Sequence, residues 1–298
     1  MDAKSIRANF LLLLTAVIWG GGFVAQRVGM EDMGPFLFNG FRFTLGAFSL
    51  LPFLSGRRAQ GSSSSWKSTL AVGSAAGLFL FAGATLQQVG LVFTTAGKAG
   101  FVTGLYVVLV PLLGMIWGDR APFQTWIGAV LAVIGLYFLS GTERFTLARG
   151  DSYVLLGAFF WAGHVQFIAN FSRRHNPIRL SFVQAVATAL LSFAVGFLAE
   201  DFSLPLLRQA AVPLIYGGVI SIGIAYTLQV VAQQTARPSH AAILLSLEAV
   251  FAVIWGWLIL QETLAPRGVA GSLLMLMGML LSQLKVYQPG KKKQHPPG

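Results

Sequence analysis

Two charged residues, Arg42 and Glu248, fall within hydrophobic stretches of the sequence that are long enough to cross a lipid bilayer. Glu248 is nine residues from Ser239, which is roughly 13 Å at the α-helical rise. Arg42 is seven residues from Pro35, or roughly 10 Å. A charge at such depth is costly unless it faces protein, water or a bound partner. We therefore interpret both residues as candidates for binding a substrate or a proton.

The opposite charges of these two side chains suggest complementary roles. Arg42 would bind a substrate carboxylate, and Glu248 would bind an amine or carry a proton. Two alternatives stay open from the residues alone. Arg42 and Glu248 could form a structural ion pair, or the Arg42 side chain could extend along its helix towards the nearer membrane surface.

Five polar or aromatic side chains inside other hydrophobic stretches are candidates for the same substrate site: Trp19, Tyr106, Trp161, His164 and Gln184. Trp161 follows Trp19 by about half the length of the chain, and Gln184 follows Arg42 by the same interval. His164 could relay protons because histidine titrates near neutral pH. The alternatives are a hydrogen-bonded histidine in the protein core and tryptophans that serve only core packing.

The composition indicates an integral membrane protein. Of 298 residues, 55% are hydrophobic and only 10% are charged, whereas soluble domains are about 25% charged. Mean hydropathy is +0.69. The chain has no cysteine, which excludes disulfides and thiolate metal sites, and we predict neither a metal nor another cofactor. The net charge of +11 is typical of basic cytoplasmic loops, so we expect a lipid bilayer and no nucleic acid as partner.

The second half of the chain repeats the pattern of the first half. The stretches at 97–139 and 239–281 each read as a helix, a short acidic turn with proline, and a second helix. The equivalent pairs are Pro35 and Pro177, Asp119 and Glu262, and Gly128 and Gly271, and each pair is separated by about half the chain. A repeat of this length indicates a duplicated helical bundle.

We predict an all-α integral membrane fold of ten transmembrane helices, arranged as two inverted five-helix repeats around a central cavity. The first repeat is 1–143, the second is 150–286, and 287–298 is a disordered basic tail. The first predicted helix ends near 25, and the next five span about 35–54, 68–88, 97–117, 123–141 and 151–171. The seventh opens near 177 and is followed by a turn at 200–205, and the last three span about 210–234, 239–260 and 267–284. An odd number of helices per repeat inserts the two copies in opposite orientations, which is typical of transporters.

Basic residues are distributed unevenly between the two predicted faces. Fourteen lie on the side of the termini and six on the opposite side. Positive charge favours the cytoplasm, so we expect both termini to be cytoplasmic. We expect a multi-pass protein of the bacterial inner membrane, as a monomer or a homodimer.

Four segments carry a family resemblance: AVIWGGGFV at 16–24, TGLYVVLVPLLG at 103–114, DRAPFQTWIGAVLAVIG at 119–135 and QETLAPRGVAGSLLMLMG at 261–278. In this order the sequence resembles the drug/metabolite transporter superfamily, EamA-type. One departure is Ala249, where that family's second repeat often carries proline after the glutamate. The resemblance implies a secondary carrier that usually exports amino acids or related metabolites.

We therefore expect a small-molecule transporter that works by alternating access, with Glu248 as the candidate proton-coupling residue. An uncoupled facilitator or a channel for small solutes is the alternative. An intramembrane enzyme is disfavoured, because the HExxH and GxSxG patterns are absent and no pair of embedded acids supplies a general acid and base. A phosphate-binding GxxxxGK[ST] loop is also absent, so ATP is not the expected energy source.

Overall fold

The computed structural model describes residues 3–31, 33–55, 64–93, 96–119, 121–139, 149–261 and 266–283. Every regular element within these ranges is helical, which confirms the all-α prediction. Glu262, the joining segment at 142–148 and the predicted tail at 287–298 lie outside the described residues.

The helices follow one another in two similar series. The first series is α1 (Ala3–Gly29), α2 (Pro35–Leu50) with a 3₁₀ turn at Leu51–Phe53, α3 (Trp66–Phe93), α4 (Ala96–Gly104), α5 (Tyr106–Ile116) and α6 (Phe123–Leu139). The second series is α7 (Arg149–Phe171) with a 3₁₀ turn at Ser172–Arg174, α8 (Pro177–Ala199), α9 (Leu204–Gln209), α10 (Ala211–Ile215), a π-helical segment (Tyr216–Tyr226), α11 (Thr227–Gln233), α12 (Pro238–Leu245), α13 (Glu248–Leu260) and α14 (Pro266–Gln283).

Length and hydropathy identify the membrane-spanning elements. Among the described residues, seven helical stretches are long and apolar enough to cross a bilayer: Ala3–Gly29, Pro35–Phe53, Trp66–Phe93, Arg149–Arg174, Pro177–Ala199, Ala211–Gln233 and Pro238–Ile259. Shorter apolar helices cover Val102–Ile116, Phe123–Phe138 and Pro266–Ser282. The chain is therefore an integral, multi-pass membrane protein.

The beginning of α2 is held in place by the end of α8. Pro35 occupies the first turn of α2, where its missing N–H costs no hydrogen bond. The next two backbone N–H groups, of Phe36 and Leu37, donate to the Glu200 carboxylate at 2.9 and 2.7 Å. A carboxylate at a helix N-terminus satisfies unpaired donors and the helix dipole together. This contact fixes the helix that carries Arg42.

Equivalent glycines in the two halves make equivalent contacts. A Cβ atom placed on Gly77 of α3 would lie 2.9 Å from the carbonyl oxygen of Gln184 in α8. A Cβ atom placed on Gly218 of the π-helical segment would lie 2.8 Å from the carbonyl oxygen of Arg42 in α2. Arg42 and Gln184 are themselves equivalent positions of the repeat. The two halves are therefore packed in the same way at these positions.

The contact between α6 and α14 shows the same exchange symmetry. A Cβ atom on Gly128 would lie 2.7 Å from the oxygen of Gly278, and one on Gly135 would lie 2.5 Å from the oxygen of Gly271. The repeat aligns Gly128 with Gly271, and it aligns Gly135 with Gly278. Each contact is therefore the counterpart of the other. α2 and α8, which are equivalent helices, also pack on each other. α1 packs on the π-helical segment and on α13, and its equivalent α7 packs on the corresponding helices α3 and α5.

Two helices that the sequence predicts as continuous, over 97–117 and 239–260, are interrupted. The first breaks at Leu105, between α4 and α5, and the second between α12 and α13. At each break the backbone forms 3₁₀-type bonds, from Val108 N to Leu105 O at 3.0 Å and from Ala249 N to Ser246 O at 3.2 Å. The breaks occupy equivalent places in the two repeats. A 3₁₀ turn inside a long helix often marks a hinge.

The predicted helix at 210–234 also departs from regular α-helical geometry. Its centre, Tyr216–Tyr226, is π-helical. This conformation is rare in proteins overall, and where it occurs it is often at a functional site. Gly218 lies in this segment, and a Cβ atom there would lie within 3 Å of both Leu45 Cβ and Arg42 O. The close approach of α2 therefore depends on glycine here. The predicted turn at 200–205 is shorter than expected, because α9 begins at Leu204.

Candidate functional site

A cavity of about 50 Å³ lies between the two halves. Six of the side chains predicted from the sequence line it: Trp19, Arg42, Tyr106, Trp161, His164 and Glu248. They come from both repeats and from five helices, α1, α2, α5, α7 and α13. The lining also includes residues that were not predicted, namely Phe23, Gln26, Gln87, Thr103, Val165, Ser221, Tyr226, Gln229 and Leu245.

Gln184, which the sequence also assigned to the substrate site, does not line this cavity. It is 1% exposed and lies behind His164, whose Nε2 atom is 3.0 Å from the Gln184 Oε1 atom. The second ring nitrogen of His164, Nδ1, has no hydrogen-bond partner. Gln184 therefore contacts the site through the histidine and fixes the orientation of its ring.

Arg42 is buried and faces the cavity. It is 4% exposed, so its side chain does not extend to the membrane surface. Its Nε atom donates to Asn39 Oδ1 at 2.9 Å, and its guanidinium lies 5.8 Å from the Phe38 ring and 5.3 Å from the Phe43 ring. Within the described chain Arg42 forms no ion pair with Glu248, which makes the structural pair considered above wrong for this structure.

Glu248 is the first residue of α13 and is 7% exposed. Its carboxylate therefore lies at the positive end of a helix dipole, which favours negative charge there. The Tyr106 hydroxyl faces this carboxylate, but the two groups do not adopt hydrogen-bond geometry. Tyr106 is itself the first residue of α5. The breaks in the two equivalent helices thus bring both side chains to the cavity.

Tyr226 is the central residue of the site, and sequence reasoning missed it. Its ring centroid lies 4.7 Å from that of Trp19, 6.4 Å from that of Trp161 and 6.1 Å from that of His164. It lies close enough to interact electrostatically with both Arg42 and Glu248. The available signal was a tyrosine at the end of a glycine-rich hydrophobic run, which by itself does not indicate a cavity.

Hydrogen bonds hold the indole rings of the equivalent tryptophans, Trp19 and Trp161. Trp19 Nε1 donates to the carbonyl oxygen of Ser221 in the π-helical segment at 3.3 Å. Trp161 Nε1 donates to Gln87 Oε1 on α3 at 3.0 Å. Each bond joins one half of the chain to the other and satisfies a buried indole N–H. The walls of the cavity are therefore built from contacts between the repeats.

Several buried polar atoms around the cavity have no hydrogen-bond partner. They are Gln26 Oε1, Tyr106 Oη, His164 Nδ1 and Gln229 Oε1. Buried polar groups in native proteins are nearly always paired, and unpaired ones need an explanation such as a bound molecule. Their convergence on one cavity, beside two charges that form no ion pair with each other, makes this cavity the candidate site for a polar ligand.

A larger cavity, of about 650 Å³, opens on the face where α1 begins and α7 and α14 end. Its polar lining includes Asn9, Asp119, Arg173, Arg237 and His240. We call this cavity the vestibule. A cluster of buried apolar residues extends from Ala8 and Ala236, which line the vestibule, to Val165 and Leu245, which line the central cavity. The two cavities share no lining residue, and this apolar cluster lies between them.

In the described part of the chain no group of three or more histidines or carboxylates is placed to hold a metal ion. The polar groups at the central cavity are one guanidinium, one carboxylate, one imidazole, amides and hydroxyls. This set can bind charged and polar groups of an organic molecule through hydrogen bonds and ion pairs.

Both halves of the chain match the family model described as the EamA-like transporter family, over residues 6–141 and 148–284. The chain belongs to the EamA-like transporter family. This confirms the resemblance found in the sequence, and it makes the protein a membrane transporter that acts on small molecules. The family model matches twice, which agrees with the equivalent glycine contacts in the two halves.

Relatives of this EamA-like protein are themselves named as transporters. It is 35% identical over 286 residues to an uncharacterized transporter of Archaeoglobus fulgidus, covering 95% of this chain and 88% of that protein. It is 24% identical to the uncharacterized transporter YoaV of Bacillus subtilis, covering 91% and 94%. A probable amino-acid metabolite efflux pump of Salmonella typhimurium is 29% identical over 163 residues, or 53% and 52% of the two chains.

A solved crystal structure has the same fold. It superposes with a TM-score of 0.75, covering 95% of this chain and 97% of the other, at 17% sequence identity. At that identity the likeness shows the fold alone.

Proposed function

We propose that this EamA-like protein is a secondary carrier, acting as an exporter, for small zwitterionic metabolites such as amino acids. One observation carries the proposal: Arg42 and Glu248 line the same buried cavity and do not pair with each other. A buried charge without an opposite charge is destabilising, so each would gain from an opposite charge on a ligand. A zwitterion supplies both charges in one small molecule.

The remaining lining groups fit the same class of ligand. The unpaired Oε1 atoms of Gln26 and Gln229 can accept hydrogen bonds from N–H groups of a ligand. The Tyr106 hydroxyl can donate a hydrogen bond to a carboxylate or carbonyl. The rings of Trp19 and Tyr226 offer apolar faces for the hydrocarbon part of a metabolite. Aromatic faces also attract ammonium groups. The name of the Salmonella relative, a probable amino-acid metabolite efflux pump, supports both the substrate class and the outward direction.

The transport cycle that we propose is alternating access with the two halves as the moving units. The seven long spans and the three shorter apolar helices would together make ten crossings, as inverted repeats 1–143 and 150–286. Both termini would be cytoplasmic in a bacterial inner membrane. The vestibule would then open towards the cytoplasm, so this conformation would precede loading from inside. Opening of the central cavity to the vestibule would require the apolar cluster that includes Leu12 and Leu245 to separate.

Coupling to protons is the energetic part of the proposal. Burial favours the neutral form of a carboxylate, and a nearby cation favours its charged form. Opening the cavity to one side and then to the other changes both influences on Glu248. Proton occupancy can therefore differ between the two conformations and bias their populations.

Counterflow in proteoliposomes tests the function. The probe is L-alanine, because it carries an ammonium and a carboxylate group and has a minimal side chain. We expect internal unlabelled L-alanine to accelerate uptake of labelled L-alanine. A channel would equilibrate the label without acceleration, and that result would contradict the carrier proposal. If no L-alanine crosses at all, the small-zwitterion assignment is wrong.

A further inference from the structure

Asn39 is hydrogen-bonded to the Nε edge of the Arg42 guanidinium. The two residues are three apart on α2, which places their side chains on the same face of the helix. Asn39 is fully buried, at 0% exposure, and its Oδ1 atom accepts from Arg42 Nε at 2.9 Å. Within the described chain, this is the hydrogen bond that the guanidinium makes.

Two aromatic rings also contact the guanidinium. The rings of Phe38 and Phe43 lie 5.8 and 5.3 Å from the Arg42 Cζ atom, within the range of cation–π attraction. Gly217 lies beside the arginine, and a Cβ atom there would be in ordinary van der Waals contact with Arg42 Cδ at 3.6 Å. With Nε bound to Asn39, the two terminal nitrogens are the donors left for the cavity.

The second repeat provides a natural comparison. The interval that aligns Arg42 with Gln184 also aligns Asn39 with Ser181. Ser181 is buried at 2% exposure, and its hydroxyl has no hydrogen-bond partner. Gln184 is turned to His164 instead of the cavity. The same pair of helix positions therefore holds a fixed cation in one half and a neutral side chain in the other.

We propose that Asn39 is the positioning residue that turns the terminal nitrogens of Arg42 towards the cavity and thereby makes the site select a carboxylate. The inference rests on the proposed function, because it assumes that Arg42 meets the substrate. Arginine binds a carboxylate best through two parallel N–H···O bonds from a planar fork. Such a pair needs a fixed plane, and Asn39 with the two phenylalanines fixes it. Binding through a single N–H would discriminate less between an acid and a neutral amide.

The test compares L-alanine with L-alaninamide, which differs by having no carboxylate, in proteoliposomes that contain the full chain. The measured quantity is the ratio of kcat/KM for the two probes. Asn39→Leu keeps the size of the side chain but removes the acceptor, and we expect the ratio to fall roughly tenfold, since a hydrogen bond to a charged group is worth about that factor. Asn39→Asp keeps the acceptor but places a negative charge beside Arg42, and the ratio should fall at least as far.

The matched control is Ser181→Ala, the same position in the second repeat, which should leave the ratio unchanged. A purely structural role for Asn39 would lower the thermal stability or the transport of both probes equally and would leave the ratio intact; that outcome overturns the inference. Asn39→Asp covers the case in which Asn39→Leu does not fold. If wild-type protein itself fails to prefer L-alanine, the proposed function is wrong, whereas a selective wild type with equally selective Asn39 variants refutes only the role of Asn39.

Discussion

Tyr106 and Glu248 are neighbours in the lining of the central cavity, and each is the first residue after a break in its helix. The two breaks are equivalent under the repeat, yet they present different groups, a phenol and a carboxylate. Helix ends expose backbone groups and dipoles that a continuous helix would hide. Interrupted helices at the middle of a membrane are a recurrent way of building transporter sites. In this chain they bring the one carboxylate among the described lining residues to the cavity.

Glu248→Gln keeps the shape of the side chain but cannot release a proton. We expect it to abolish pH-driven accumulation of L-alanine while some exchange between substrate pools remains, because only coupling needs the titrating group. Uptake into proteoliposomes with an imposed pH gradient measures the first property, and counterflow measures the second. Glu31→Gln, at an exposed acid near the end of α1, should behave like wild type. Accumulation against a gradient by Glu248→Gln would show that Glu248 is not the coupling site.

Two substitutions of Tyr226 distinguish what its ring and its hydroxyl contribute to substrate binding and to stability. Tyr226→Phe keeps the ring contacts with Trp19 and Trp161 but removes the hydroxyl that interacts electrostatically with Arg42 and Glu248. We expect a several-fold rise in KM, with thermal stability close to wild type. Tyr226→Ala removes a large buried ring as well and should cost about 3–5 kcal/mol of stability. Kinetics and melting temperatures of the purified variants distinguish these outcomes. An unchanged KM in Tyr226→Phe would show that the Tyr226 hydroxyl does not take part in substrate binding.

The glycine contacts between α6 and α14 predict that an alanine at Gly135 destabilises the protein, whereas an alanine at Gly100 does not. In Gly135→Ala, the new Cβ atom would lie 2.5 Å from the carbonyl oxygen of Gly271, so backbone would have to move. Overpacking of this kind typically costs about 1–3 kcal/mol. Gly100→Ala is the control, since its Cβ atom would meet nothing within 4 Å. We expect only Gly135→Ala to lower the melting temperature. Equal melting temperatures would mean that the two helices are not in close contact.

The orientation can be tested with single cysteines because the chain has none of its own. Thr235 lines the vestibule, and Thr235→Cys should react with a membrane-impermeant thiol reagent only after cells are permeabilised. Asp201 is exposed between α8 and α9, and Asp201→Cys should react in intact cells. A reporter fused at Gly298 should read inside, and one placed after Thr142 should read outside. The reverse pattern of labelling or reporters would invert the proposed topology.

Much of the architecture follows from the sequence. Hydrophobicity and the low charge content identify a membrane protein, and they depend on composition alone. The repeat emerges from the spacing of Trp19 with Trp161 and of Pro35 with Pro177. Charges inside long apolar runs, such as Glu248, are conspicuous for the same reason. These signals can be found without knowing how the helices pack.

The arrangement within the site could not be found in this way. A transmembrane helix is apolar on nearly all faces, so its sequence lacks the periodic pattern that shows which face is buried. Only packing decides that Tyr226 faces the cavity while Gln184 lies behind His164. The same limit hides the break at Leu105 and the π-helical segment, where a hydrogen bond changes from one carbonyl to its neighbour with no change in composition.

The sequence by itself determined the membrane class, the duplication and the two embedded charges, Arg42 and Glu248. The tertiary structure decided that those charges share one cavity without pairing. Their separation depends on contacts between helices from different halves of the chain, and no spacing along the sequence encodes those contacts.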